Sequence, residues 1–251
     1  MVIVPLLTLA FGVDMRYAIG ASLISVIATS SGSAAAYVKE GYSNIRVGIF
    51  LEIATTLGAL AGAFVAVYLR FSVIAVILGL VLLYSAYVSF RPPGGGPGGG
   101  RPDPIASLLN MDGTLPTPEG PKPYHVYRVP AGFSLMFVAG ALSGLLGIGS
   151  GAIKVLAMDR LMRLPFKVST TTSNFMIGVT AAASAGVYLN RGYIDPGLAM
   201  PVMLGVLGGS LAGSYVLSSA NVRLLRLVFS TVIAALGFEM IFNGCTGRFG
   251  P

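Results

Sequence analysis

Seven long apolar segments decide what this chain can fold into. Each approaches the about 20 apolar residues that an α-helix needs to cross the hydrocarbon of a bilayer. Charged residues make up 10% of the 251 positions, against roughly 25% in soluble domains. The segments are Ile19–Val38, Val47–Leu69, Val73–Phe90, Gly132–Ala157, Val168–Leu189, Leu198–Leu217 and Leu224–Phe242, and a shorter apolar piece, Met1–Phe11, precedes them. The sequence therefore predicts an all-α, polytopic transmembrane protein embedded in a lipid bilayer.

The charged and reactive residues argue against several other classes of protein. The net charge is +7, but the 16 Lys and Arg are scattered among loops, with no basic run that would indicate nucleic-acid binding. The only cysteine, Cys245, and the only histidine, His125, are far apart, so no Cys/His metal site is expected. No catalytic constellation and no cofactor-binding motif is present. We therefore expect neither an enzyme nor a cofactor.

A proline- and glycine-rich tract divides the chain. The sequence "RPPGGGPGGGRPDP" begins at Arg91, and such a composition does not support a packed helix. We interpret residues 91–130 as a flexible linker. It would separate a first transmembrane repeat, residues 1–90, from a second, residues 131–251.

The two halves align without gaps when the chain is displaced by 151 positions. Ser22 then faces Ser173, Thr29 faces Thr180, and "GALAG" at 58–62 faces "GSLAG" at 209–213. An ordered series of this kind indicates a tandem duplication, as in many transporters. In this register the first half has no counterpart of residues 131–151. We expect the coding sequence upstream of Met1 to supply an apolar segment ending in a similar glycine motif; a lost segment and a working incomplete repeat are the alternatives.

Two stretches of the second half resemble the TauE/SafE family of sulfite exporters and related organosulfur-anion permeases, including the 4-toluene sulfonate uptake type. They are "GIGSGAIKVLAM" and "TTTSNFMIGVTAAASAGVYLNRGYID", and "AIGASLISVIATSSGSAAAYVKEGYSN" is similar to the first-repeat version. The resemblance implies a small membrane protein of two repeats that transports sulfite or an organosulfonate. It also implies that Asn174 lies beside the glycine motif as a further hydrogen-bond donor.

Three glycines interrupt the fourth apolar segment. Gly147, Gly149 and Gly151 allow the backbone to leave helical geometry and to present N–H groups, with a new helix beginning near Ala152. Irregular backbone at membrane depth is typical of transport sites, and an anion suits a helix N-terminus. Close helix packing is the alternative. We favour the binding interpretation here and the packing interpretation for the glycine pairs at 58 and 62 and at 209 and 213.

Hydroxyl side chains recur at spacings of 7, 4 and 4 residues and would lie on one helix face. They line an anion path, or they serve helix packing and bond back to their own helix. Neither interpretation is preferred. In both cases we expect the two helices to pack together, because a polar face against lipid is costly. The positions are Ser22, Thr29, Ser33 and Tyr37 in the first half, and Ser173, Thr180, Ser184 and Tyr188 in the second.

Glu52 and Lys154 are the most informative of the charged residues inside the apolar segments, where charge is costly. Glu52 is a candidate for carrying a coupling proton, although pairing with Arg46 or an extended side chain that reaches the interface explains it equally well. Lys154 follows the glycine motif and is placed to attract an anion.

These observations favour a carrier for a small anion in the plasma or inner membrane, and the family resemblance implies that the anion is sulfite or an organosulfonate. A channel or a structural membrane subunit is the alternative. The expected substrate-binding residues are Gly147, Gly149, Gly151, Ser173, Asn174, Thr180, Ser22, Thr29 and Lys154, with Glu52 as the proton-coupling residue. The relative direction of the two repeats depends on whether each crosses the membrane an odd or even number of times, which the sequence leaves open.

Overall fold

The computed structural model describes residues 2–39, 43–89, 103–115, 120, 122–219 and 222–246. Ten α-helices and one two-stranded hairpin occur within these ranges. The elements are α1 (Ile3–Pro5, continued by a π-helical turn, Leu6–Ala10), α2 (Met15–Lys39), α3 (Ile45–Tyr68), α4 (Phe71–Ser89), α5 (Pro104–Leu108), β1 (Gly113–Leu115), β2 (Lys122–Tyr124), α6 (Val129–Leu146), α7 (Gly151–Leu156, continued by a π-helical turn, Ala157–Leu161), α8 (Phe166–Asn190), α9 (Pro196–Ser219) and α10 (Val222–Cys245).

Apolar side chains lie on the outside of this helical bundle as well as in its core. Along α3, Ile49, Ile53 and Leu57 form a stripe in which each side chain is more than half exposed. Among the described residues, α3 and α6 are long and apolar enough to span a bilayer, and shorter apolar helices lie at Phe71–Tyr87, Pro196–Ser210 and Ser230–Cys245. Such an exterior is typical of a helical bundle that contacts lipid. The fold is that of an all-α membrane protein.

The helices of the two halves have matching bounds. Met15 and Phe166 begin α2 and α8, 151 positions apart, and Lys39 and Asn190 end them at the same separation. The helices α3 and α9 match in the same way, and the two π-helical turns do so as well. The helix bounds thus follow the 151-residue register, and the division of the chain into two homologous repeats stays a prediction.

Equivalent helices run in opposite directions. The start of α2 lies at the end of α8, where the Tyr17 and Tyr193 ring centroids are 5.8 Å apart. The later residue Ser30 of α2 contacts Gly178, which lies earlier in α8. The equivalent pair α4 and α10 is also antiparallel, since Gly79 meets Gly237 and the later Gly244 meets Ser72. The two halves are therefore inverted, and the helices that carry the hydroxyl series pack together as expected.

The fourth apolar segment, Gly132–Ala157, was predicted to be a membrane span interrupted by glycines, but the chain reverses at the interruption. Helix α6 ends at Leu146 and α7 begins at Gly151. Tyr127 N, just before α6, donates to Met162 O, just after the π-helical turn, at 3.1 Å. Both ends of the segment thus lie together, and the segment is a helical hairpin whose turn is formed by residues 147–150.

Glycines hold the first arm of this hairpin against α3. A Cβ at Gly58 would collide with Phe137 O, and one at Gly140 would collide with Thr55 O. Gly62 and Gly144 have similar backbone contacts. This geometry agrees with the packing interpretation of the first glycine pair. The packing interpretation does not extend to the second glycine pair. Gly209 has open space around it, and the surroundings of Gly213 lie outside what the structure describes.

Part of the predicted linker is packed on the bundle. Ala106, Met111 and Tyr124 are buried in a core with Val47 and Met162. Burial raises the pKa of the Tyr124 hydroxyl, which stays protonated while it accepts a hydrogen bond from Asn44 Nδ2 at 2.9 Å. The Pro/Gly composition predicted flexibility for the whole linker, but the tract at 90–102 lies outside the described residues and the apolar side chains that follow it are buried. The segment from Asp103 onward therefore caps the end of the bundle at which α3 and α6 begin.

Candidate functional site

The candidate site centres on the turn of the helical hairpin. Gly147, Gly149 and Ser150 have φ values of 64°, 71° and 41°, in the left-handed region. Glycine adopts this conformation without steric cost, which is why the glycine spacing allows the chain to reverse here. Ser150 is 0% exposed and Ile148 is 5% exposed. The turn is irregular backbone enclosed by protein.

Three hydroxyl groups fix the turn from the neighbouring helices. Ser22 Oγ of α2 donates to Gly147 O at 2.8 Å. Ser173 Oγ, its equivalent on α8, donates to Gly151 O at 3.4 Å. Tyr188 OH donates to Gly144 O at 3.2 Å. The two equivalent serines, predicted as substrate ligands, therefore hold opposite ends of the turn and position it between the two repeats.

Several hydrogen-bond donors at the turn have no acceptor. The hydroxyls of Ser143 and Ser150 are fully buried and unpartnered. The N–H groups of Ile148, Gly149 and Ser150 find no acceptor among the described residues. Buried donors are nearly always paired, because leaving one unpaired costs about 1–3 kcal/mol. Such a concentration of unpaired donors suits an acceptor-rich ligand.

One helical turn further on, a buried cation meets a buried carboxylate. Lys154 is 0% exposed, and its Nζ donates to Thr180 Oγ1 at 2.5 Å. Thr180 Oγ1 lies 2.7 Å from Glu52 Oε1, and Lys154 Nζ lies 3.8 Å from Glu52 Oε2. The hairpin, α8 and α3 each supply one member of this triad. An ammonium within 4 Å of a carboxylate offsets part of the cost of burying both charges.

Threonines satisfy the remaining carboxylate positions. Thr55 Oγ1 donates to Glu52 Oε2 at 2.9 Å, and Thr56 Oγ1 donates to Oε1 at 3.1 Å. Arg46, the predicted alternative partner of Glu52, instead donates to Asn110 O at 2.9 Å. A groove of about 460 Å³ between α3 and α8 has Glu52 among its lining residues and is otherwise almost wholly apolar. Glu52 is therefore a buried, fully hydrogen-bonded carboxylate.

The other predicted site residues lie around this centre without sharing its geometry. Thr29 Oγ1 donates to Ser25 O at 3.0 Å within its own helix, and Ser184 donates similarly to Thr180 O. Asn174 is half-buried beside Ser173 on α8. The side chains of Ser33 and Tyr37 lie outside the described residues. The hydroxyl series thus divides into residues that fix the turn, Thr180 in the triad, and residues that bond back to their own helix.

The charged residues of the triad are not duplicated between the two halves. In the 151-residue register Glu52 faces Met203, and Lys154 faces Ile3. Thr180 faces Thr29, so the hydroxyl alone is duplicated. The site therefore combines a duplicated hydroxyl with an unduplicated charge pair, in which the first half supplies Glu52 and the second half supplies Lys154.

Ser143 and Ser150 escaped the sequence-based prediction. Ser150 lies inside the glycine motif, from which only backbone N–H donors were predicted. Ser143 lies one turn before Gly147. The proximity of Lys154 and Glu52 was also missed, because about 100 positions separate them and no local pattern relates them. A serine between two glycines in a membrane segment was the available signal.

Comparison with known proteins places the chain among membrane proteins. The profile of the family described as "Sulfite exporter TauE/SafE" matches residues 1–240. No solved structure gives a significant match.

Three relatives have names that indicate transport. The "Probable membrane transporter protein YunE" of Bacillus subtilis (strain 168) is 25% identical over 92% of this chain and 83% of its own length. A "Probable membrane transporter protein" of Xylella fastidiosa (strain 9a5c) is 24% identical over 95% of this chain and 85% of its own length. The "Probable membrane transporter protein YdhB" of Bacillus subtilis (strain 168) is 21% identical over 96% of this chain and 90% of its own length.

Proposed function

Because the chain belongs to the TauE/SafE family of sulfite exporters, we propose that it is a multi-pass carrier that moves a small anion, sulfite or an organosulfonate, across the plasma or inner membrane. The observation that supports this most is the buried hairpin turn with its unpaired hydroxyl and N–H donors. The anion binds at this turn. Transport requires no catalytic residue.

The inverted arrangement supports a carrier over a structural subunit. The turn lies where α2 and α8, the equivalent helices of the two halves, both donate hydrogen bonds to it. In carriers built from inverted repeats, the substrate site lies at the interface between repeats, and movement of one repeat against the other opens it to alternate sides. The full burial of Ser150 corresponds to a state closed to both sides.

Glu52 and Lys154 couple the anion to a proton. With Glu52 ionised, the carboxylate compensates the charge of Lys154 at 3.8 Å. When Glu52 takes up a proton, the ammonium loses that partner, and the site gains one positive charge beside the turn. An anion then binds more favourably. Asp159 is a further buried carboxylate, and it lies in the π-helical turn that follows α7 in the hairpin.

Reconstitution in proteoliposomes tests this function. The protein is offered sulfite, thiosulfate, methanesulfonate, 4-toluenesulfonate and acetate, each with and without an imposed pH gradient. We expect saturable uptake of a sulfur oxyanion that an inward proton gradient accelerates. Flux that rises linearly with concentration would favour a channel, and no flux of any anion would favour a structural subunit.

A further inference from the structure

The two buried serines beside the hairpin turn have a role that the glycine motif alone does not explain. We infer that the hydroxyls of Ser143 and Ser150 bind the oxyanion headgroup of the substrate directly and determine the preference for oxyanions over halides. This inference rests on the proposed function and names the side chains that recognise the substrate.

Burial without a partner is the first observation. Both serines are 0% exposed, and neither hydroxyl has a hydrogen-bond partner. A serine at such a position gives nothing to the empty protein that alanine would not give, since an unpaired buried hydroxyl is unfavourable. The hydroxyls are accounted for if a ligand pairs with them.

The backbone at Ser150 is the second observation. The Ser150 φ of 41° is uncommon for a residue with a Cβ, and both neighbours of Ser150 in the sequence are glycines. A glycine at position 150 would adopt this conformation without strain. The serine therefore adds a hydroxyl at a position where the side chain is a conformational cost.

The location of both residues is the third observation. Ser143 lies in the last turn of α6, where its carbonyl accepts from Gly147 N at 2.8 Å, and Ser150 is the last residue of the hairpin turn. The unpaired N–H groups of Ile148 and Gly149 lie between them. Successive N–H groups in left-handed turns form concave anion sites.

This donor set favours one class of anion. Several separate donors can each pair with a different acceptor atom, and a sulfite or sulfonate headgroup offers several oxygens. A halide offers a single spherical acceptor that engages fewer directed donors. The geometry therefore discriminates by the shape of the headgroup, while Lys154 supplies the charge.

Alanine substitutions separate a ligand-binding role from a structural one. We would purify Ser143→Ala and Ser150→Ala in detergent, titrate each with methanesulfonate and with chloride, and measure the melting temperature without ligand. Ser230→Ala is the matched control, because Ser230 on α10 is also fully buried and unpartnered but lies outside the hairpin.

We expect each hairpin variant to bind methanesulfonate about tenfold more weakly, the effect of losing one hydrogen bond to a charged group. Chloride affinity should change less, and the melting temperature should stay the same or rise. Ser230→Ala should bind methanesulfonate like the wild type.

Wild-type affinity for methanesulfonate in both hairpin variants would overturn the inference, and so would an equal loss in Ser230→Ala. A loss of affinity accompanied by a lower melting temperature would assign the serines a structural role instead. If the wild-type protein transports a sulfur oxyanion while the serine variants bind it normally, only this inference fails. If the wild type neither binds nor transports any oxyanion, the proposed function fails as well.

Discussion

At the scale of single residues, the proposed proton coupling depends on how the protein stabilises a lysine and a glutamate inside an apolar bundle. Both have hydrogen-bond partners: Lys154 donates to Thr180, and Glu52 accepts hydrogen bonds from three threonine hydroxyls. An unpaired ion at this depth would cost several kcal/mol, on the order of 3–5 when one partner of a buried pair is removed. A substrate anion beside Lys154 would compensate the ammonium in place of the carboxylate, so the exchange leaves no uncompensated positive charge.

Replacement of Glu52 by glutamine tests the coupling at this scale. The amide keeps the size of the side chain and one acceptor oxygen, but it neither ionises nor takes up a proton. We expect Glu52→Gln to bind the anion at least as tightly as the wild type, because Lys154 then has no competing carboxylate. Uptake into proteoliposomes should no longer respond to an imposed pH gradient. Stimulation by the gradient equal to that of the wild type would place the coupling group elsewhere.

At the scale of elements, the hairpin depends on close contact between α3 and α6. The backbones approach so closely that a Cβ at Gly62 would meet Ala141 O. Contacts of this kind leave no room for a side chain, so the glycines at this interface serve packing. Glycines on α9, by contrast, face open space at positions 205, 208 and 209.

Two leucine substitutions compare these surfaces. Gly62→Leu should separate α3 from α6 and lower the yield of folded protein and its melting temperature. Gly208→Leu, on an exposed face where leucine is compatible with lipid, should leave both nearly unchanged. Gel filtration with a fluorescent tag and thermal melting measure the difference. Equal behaviour of the two variants would show that the α3–α6 contact is not close-packed.

At the scale of the whole molecule, the sequence predicted the helices better than their directions. The apolar segments placed six long helices within a few residues of their observed bounds, because each has the length and composition that a spanning helix requires. Segment Gly132–Ala157 was mispredicted because apolar content does not encode direction: a hairpin and a single span have the same composition. The reversal depends on positive φ values at residues 147, 149 and 150. The sequence indicates such values at the two glycines but not at Ser150.

The sequence predicted those parts of the candidate site that are local features and missed those that arise from helix packing. The glycine motif and Lys154 are local features of one segment and were recognised. The contact between Lys154 and Glu52 arises from the packing of three helices, so no spacing within the sequence reports it. The packed portion of the linker was missed because its Pro/Gly tract dominated the composition of the segment that contains Met111 and Tyr124.

The inverted arrangement of the halves is testable by cross-linking. With Cys245 replaced by serine, cysteines at Tyr17 and Tyr193 should form a disulfide on mild oxidation, because the start of α2 lies beside the end of α8. Cysteines at Tyr17 and Lys167 should not, since Lys167 lies at the opposite end of α8. Faster cross-linking of the second pair would indicate parallel halves.

The central claim is that the hairpin turn binds the transported anion, and Gly149→Leu tests it most directly. Gly149 has a φ of 71°, and its Cβ position lies 3.2 Å from Ile177, so leucine would strain the turn and fill the space beside the unpaired donors. Leucine is favoured in hydrocarbon, so membrane insertion should be retained. Lys154→Gln serves as the graded comparison, because it removes one charge but keeps the backbone donors.

The measurement is the initial rate of sulfite and methanesulfonate uptake into proteoliposomes that contain equal amounts of folded protein. We predict no uptake by Gly149→Leu and reduced but measurable uptake, with weaker affinity, by Lys154→Gln. Uptake by folded Gly149→Leu at the wild-type rate would contradict the account and would move the search for the site to the hydroxyl series along α2 and α8.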